Sequence, residues 1–149
     1  MSEKNFTAEE RDAMKAKLAE RKTTKSRAKK SPEEARAEGT AEIKAKIADM
    51  PDEDRMLGEK VFAMVAETAP HLMPRTYYGM PAWGKDGKVL CFFQPASKFK
   101  TRYGTVSFDE TAQLDDGPMW PVSYAVIEVT AEVEQTIRDL VRRAAPTPD

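Results

Sequence analysis

One cysteine, one histidine and no unbroken apolar run longer than six residues set the first limits on this 149-residue chain. With Cys91 alone, no intramolecular disulfide and no multi-cysteine metal site can form. Cys91 sits inside Val89–Phe93, apolar at every position, where a thiol is expected to be buried and inert. His71 directly follows Pro70, with no second histidine and no nearby cysteine in sequence. Zinc binding or a histidine-based acid–base pair would need such a partner, so a surface histidine at a helix end is expected. Val89–Phe93 is too short to span a bilayer, and Met1–Phe6 has no apolar signal core. The expected setting is cytoplasmic, without membrane association. The seven glycines are scattered among turns, so there is neither a phosphate-cradling loop nor a Gly-x-Ser-x-Gly elbow. These absences argue against an enzyme and leave open only a tyrosine or carboxylate site assembled from distant segments.

What is present is unevenly spread. All aromatic residues except Phe6 and Phe62 fall between Tyr77 and Tyr124, which places the core in the second half of the chain. Charge divides as well. Residues 15–30 carry eight basic side chains against the single acid Glu20, whereas residues 31–149 are net acidic. A basic arm is therefore tethered to an acidic domain, and either part can meet the other or an outside partner.

Along the chain, Thr7-Ala8-Glu9-Glu10 is a capping box that starts a helix. Up to Lys30 its large apolar residues are only Met14 and Leu18, so this helix is expected to be mobile or solvated. Ser31-Pro32-Glu33-Glu34 starts a second helix in the same way, with Ser31 as N-cap, Pro32 at its first position and Glu34 closing the box. Gly39 weakens it, and Ile43 and Ile47 form a thin seam, as expected of a linker helix. Pro51-Asp52-Glu53-Asp54 opens the first domain helix, with acids where the helix dipole favours them. Leu57, Val61, Met64, Val65 and Thr68 give it one apolar face before Pro70 stops it. The expected organisation is an arm and linker over 1–50, a domain over 51–145 and a disordered tail over 146–149.

Thr76–Trp83 reads as a strand, with Gly84-Lys85-Asp86-Gly87 as the turn into Lys88–Phe93. Gly79 and Pro81 within it imply a bulge or an edge. That feature is either a kink that curves the strand or one wall of a small apolar pocket with Tyr77, Tyr78, Trp83 and Trp120. Lys98–Tyr103 alternates basic and apolar residues, which predicts a strand with Lys98, Lys100 and Arg102 on a solvated face and Phe99 and Tyr103 inward. Asp115-Asp116-Gly117-Pro118 is a turn, Pro121–Val129 a last strand, and Thr130 caps a final helix carrying Val133, Ile137, Leu140 and Val141. Helix, three or four strands, then helix makes an α+β domain, and helices on one face of an antiparallel sheet bury both helical stripes.

Tyr78-Gly79-Met80-Pro81-Ala82-Trp83, followed by Gly87-Lys88-Val89 and an aromatic strand, resembles the bacterial YdhG-like domain family. The resemblance covers roughly Pro51–Ala144 and supplies no catalytic residues. It implies a frataxin-like two-layer α/β sandwich, here preceded by a charged helical arm. One branch of the family is described as an iron chaperone, and frataxin-like proteins bind iron weakly along an acidic ridge on the first helix. The matching carboxylates here are Asp49, Asp52, Glu53, Asp54 and Glu59, hard oxygen ligands that suit iron without histidine. Arg55 and Lys60 interrupt them, and helix-dipole complementation accounts for the first three acids of the helix as well. The expectation is a small non-enzymatic binding protein: an iron-binding or iron-delivery accessory serving iron-using proteins. The alternative is an adaptor whose arm, through Lys22, Lys25, Arg27, Lys29 and Lys30, contacts nucleic acid or an acidic protein.

Overall fold

The structure is a computed structural model that describes residues 6–148. Three of its four helices begin where a hydroxyl takes up a free N–H group. In α1, Ala8–Arg27, the Thr7 hydroxyl accepts from the Glu10 N–H at 3.0 Å while the Glu10 carboxylate accepts from the Thr7 N–H at 3.1 Å. That is the full capping box. Ser31 accepts from the Glu34 N–H to open α2, Pro32–Ala48, and Thr130 accepts from the Val133 N–H to open α4, Ala131–Ala144. Only α3, Asp52–Thr68, starts without a side-chain cap; Pro51 precedes it, and three acids fill its first turn.

Between α3 and α4 lies a five-stranded antiparallel sheet in sequence order: β1 Met73–Tyr77, β2 Met80–Lys85, β3 Lys88–Gln94, β4 Gly104–Phe108 and β5 Ser123–Val126. The α+β class with helices packed on an antiparallel sheet is as expected, with more strands than the pattern suggested. The extra strand comes from Thr76–Trp83, which is not continuous. Tyr78 and Gly79 both have positive φ, 51° and 80°, and make a two-residue hairpin turn between β1 and β2. Asp86 and Gly87, at 52° and 79°, repeat the device between β2 and β3. Gly79 is thus a turn residue, and the bulge falls instead between Trp83 and Gly84. Pro81 pairs with Thr76 just before β2 begins its pairing with β3, a position where a missing N–H is tolerated.

The strand expected over Lys98–Tyr103 does not form. Ala96–Lys98 is a 3-10 turn, Lys100 has a φ of 56°, and the Thr101 N–H returns to the Ala96 carbonyl at 2.9 Å. Local hydrogen bonds take up the backbone groups that a ladder would need, and pairing starts only at Gly104. The final strand is likewise shorter than Pro121–Val129.

Strand register sets Trp83, Cys91 and Phe108 side by side, and Phe93 beside Val106. This face carries the core, joined by Val61, Met64 and Val65 of α3 and by Ile137 and Val141 of α4. Ile43 and Ile47 of α2 lie in the same cluster, at 0% and 4% exposure. The expectation of a linker helix is therefore corrected: α2 is a core element, and the core continues across Met50. Two large side chains suffice because α2 packs along β1, where Gly39 lets its backbone approach the Pro74 carbonyl. Polar contacts reinforce the packing: Arg36 donates to the Leu72 carbonyl at 2.9 Å, and the buried Thr76 hydroxyl donates to Glu42. Among the described residues no helix is long and apolar enough to cross a membrane. Pro146–Pro148 carry no regular secondary structure, and Asp149 lies outside the described residues.

Candidate functional site

The four aromatic residues singled out in the sequence do not converge. Trp83 is buried in the core against Phe62, with ring centroids 6.4 Å apart, and Trp120 packs on the same core from the loop before β5. Tyr77 alternates to the opposite face of the sheet. There its ring lies 5.2 Å from Phe92 and 4.7 Å from Tyr78. Of the four, only Tyr78 borders a surface groove of ≈ 580 Å³, whose other walls include Ala13 and Met14 of α1, Phe99 and Lys100.

The acidic residues are also separated. Asp54 is 6% exposed and turns inward, where its carboxylate accepts from the Ser97 N–H at 3.2 Å. Arg55 reaches Asp52 at 2.8 Å and Glu59 at 4.0 Å, so a cation of the chain itself lies between two of the proposed ligands. Asp49, Asp52, Glu53 and Glu59 remain exposed around the start of α3. Among the described residues, no three His, Cys, Asp or Glu side chains come together as a metal-holding group. Cys91 and His71 offer no alternative. Burial pushes the Cys91 thiol up to about 12, and His71 Nε2 lies 3.0 Å from the Ala145 carbonyl, tying the entry of β1 to the end of α4.

The basic arm is where structure adds most. Far from lying loose, α1 is attached by its inner face. Ala13 and Glu20 are buried at 4% and 7% exposure, and the Glu20 carboxylate accepts from the Tyr78 and Gly79 N–H groups, each at 2.8 Å. Lys17, one turn before Glu20, sets its ammonium 4.7 Å from the Tyr77 ring centroid and 5.0 Å from that of Tyr78, within cation–π range. Arg27 and Lys30, two of the expected anion-binding residues, are engaged instead by α2: Arg27 with Glu38 and Glu42, Lys30 with Glu38. Near the other end of α1, Glu9 pairs with Lys100 at 2.9 Å.

Attachment of the inner face leaves the outer face defined. Arg11, Lys15, Leu18, Lys22 and Lys25 recur at alternating spacings of four and three, so they share one side of the helix. All are exposed, and among the described residues none of the four cations forms an ion pair. Arg11 and Lys25 stand about 21 Å apart at 1.5 Å per residue. Lys29 is exposed just beyond the helix end. The sequence signal for this division was Glu20, the lone acid in the basic run, set opposite the stripe on the helix. Helical phase could have separated the two faces; the partner of Glu20, a turn far along the chain, could not be foreseen. No protein-family model, curated protein or solved structure matches this chain.

Proposed function

We propose that this protein is a non-enzymatic binding module that presents the outer face of α1 to a polyanion, with nucleic acid as the partner. The observation that carries this reading is the buried Glu20 latch, which orients the helix so that Arg11, Lys15, Lys22 and Lys25 point away from the body. A row of unpaired cations along one helix face neutralises phosphates without reading bases. The reading assigns no catalytic residue, in keeping with a thiol held protonated by burial and a histidine ring tied to a carbonyl. Binding to a DNA or RNA duplex should be independent of sequence and fall steeply with salt, by about 0.9 in log–log slope for each phosphate neutralised. Lys22→Glu and Lys25→Glu should each weaken it and flatten the slope by about one. Binding that ignores salt, or survives both reversals, would count against the reading. Binding to an acidic protein but to neither duplex would transfer the same face to the acidic-partner version.

A second reading, weak iron binding, draws support from element order. From Pro51 onward, a helix, an antiparallel sheet and a closing helix follow the order that a frataxin-like sandwich implies, with α2 packed on the sheet as an addition. The exposed carboxylates Asp49, Asp52, Glu53 and Glu59 lie where the ridge is expected, and the cargo would pass to iron-using proteins. With Arg55 between Asp52 and Glu59, binding would be multi-site and exchanging. Iron titrated into labelled protein should broaden these four residues and spare the buried Asp54. Uniform broadening, or none, would remove the reading.

A further inference from the structure

The turn that α1 grips has the make-up of an anion site. Tyr78 and Gly79 both have positive φ, and successive backbone N–H groups held in that way converge on one point. The Glu20 carboxylate occupies that point with one oxygen on each N–H, at 2.8 Å. Beside it stands Lys98, whose ammonium lies 3.1 Å from where a Cβ on Gly79 would be. Lys98 is half-buried and forms no ion pair among the described residues. Its pKa is held below the ordinary lysine value, first by burial and then by Lys46, against the pull of Glu20 and Asp12. Glu20 therefore satisfies two donors and leaves beside them a partly desolvated cation that has the Phe99 ring 5.6 Å away but, among the described residues, no anionic partner.

What holds Glu20 there is modest. Along α1 the buried residues are Ala13 and Glu20 alone, while Met14 and Leu18 are 41% and 60% exposed. Ion pairs at Glu9, Arg27 and Lys30 and the Lys17 ammonium over the tyrosine rings supply the other ties, and of the ion pairs the partly exposed ones at Glu9 and Lys30 contribute little. A four-residue connector, 28–31, joins α1 to α2, so the helix can leave without disturbing the core.

The geometry points to a carboxylate-binding site, formed by the Tyr78 and Gly79 N–H groups and the Lys98 ammonium, that α1 fills in cis with Glu20 and that takes a carboxylate ligand in exchange. The chemistry requires a carboxylate on the two amides with negative charge within reach of Lys98. A free dicarboxylate and an acidic side chain on another protein both supply it. The cis occupant illustrates the second source: a helix bearing Glu with Lys one turn earlier, its ammonium over the tyrosine rings.

The test uses the full chain with Glu20→Ala, read by amide NMR and hydrogen exchange. Relative to the unsubstituted protein, exchange at Tyr78 and Gly79 should accelerate about 10-fold or more, the scale of losing a hydrogen bond to a charged acceptor. Glutarate, or a peptide of residues 8–27 added in trans, should then shift both amides saturably. A peptide with Glu20→Gln should fail, and adding Lys98→Met to the protein should weaken both ligands. Saturation by glutarate alone assigns the site to a small dicarboxylate, and saturation by the peptide alone assigns it to a protein partner. Unchanged protection in the alanine variant, or no saturable shift with either ligand, overturns the proposal. Should Glu20→Ala lose its fold by circular dichroism, the unsubstituted chain decides: glutarate must perturb Tyr78 and Gly79 and must lose that effect in Lys98→Met. Absence of the perturbation overturns the site.

Discussion

Gly39 shows how one residue can reverse a local rule. In a helix interior glycine costs about 1 kcal/mol relative to alanine, and on that ground Gly39 weakens α2. In the folded chain, however, a Cβ at this position would overlap the Pro74 carbonyl oxygen. Backbone cannot yield as a side-chain tip can, and overpacking of this kind costs about 1–3 kcal/mol. The steric penalty exceeds the propensity gain. Gly39→Ala should therefore destabilise the protein, seen as a lower urea midpoint, whereas a more stable variant would mean that α2 does not lie against β1. Cys91 gives a second expectation at this scale. Its thiol, normally ionising near 9.0, is pushed up to about 12 by burial alone, so the folded state keeps a proton that the unfolded chain releases. That contribution to stability is whole below pH 9 and is lost as pH rises toward 12. Native Cys91 should resist alkylation until the protein unfolds, and Cys91→Ala should show a shallower alkaline loss of stability. Rapid native labelling would contradict the central position of β3.

Among the elements, α1 and α2 contrast most sharply in how they are held. Both looked thin in apolar residues, yet Ile43 is fully buried and Leu18 is 60% exposed. Ile43→Ala should cost about 2–5 kcal/mol, and Leu18→Ala should stay within about 0.5 kcal/mol. Removing residues 1–30 should cost less than the single Ile43 substitution, because only Ala13 and Glu20 of α1 are buried. Equal losses would show that α1 is integral to the core. Acid should separate the helices too. Glu9 is lowered from the ordinary 4.5 chiefly by its hydrogen bond from Lys100, and Glu38 chiefly by that from Lys30. Depressed carboxylates stabilise the folded arrangement above 4.5 and cease to do so as pH falls through their folded values. Both pairs tie α1 or its connector to the rest of the chain. Below pH 4.5, then, hydrogen exchange should speed up in α1 before it does in α3.

Across the whole molecule, the charge asymmetry is internal as well as external. Part of the basic run closes on the acids of α2, Lys17 lies over the tyrosine rings, and Lys15, Lys22 and Lys25 face outward along α1. At about 1 M salt the screening length falls to about 3 Å. Ion pairs at Glu9, Arg27 and Lys30 should then weaken while the apolar contacts of α2 persist. Exchange at high salt should accelerate in α1 alone; matched acceleration in α2 would deny that its attachment is hydrophobic.

Local chemistry was sufficient wherever a structure is decided within a few residues. The capping box at Thr7–Glu10, the caps at Ser31 and Thr130, the stripe of α3 and, within the turn read over Gly84–Gly87, the pair Asp86-Gly87 were legible in sequence because each rests on neighbours along the chain. The exposed lysines of the arm were legible too, as charge without apolar company. Tertiary structure decided the rest. Periodicity over Lys98–Tyr103 suggested a strand, but pairing needs a partner edge, and the local bond from Thr101 to Ala96 closed that stretch into a turn. Two isoleucines on α2 suggested a linker because a count of apolar residues does not say how closely a backbone can approach, which Gly39 and Pro74 determine. Asp54 and Glu20 look in sequence like any solvated acids. Only the fold brings them Ser97, Tyr78 and Gly79, whose N–H groups lie far away along the chain.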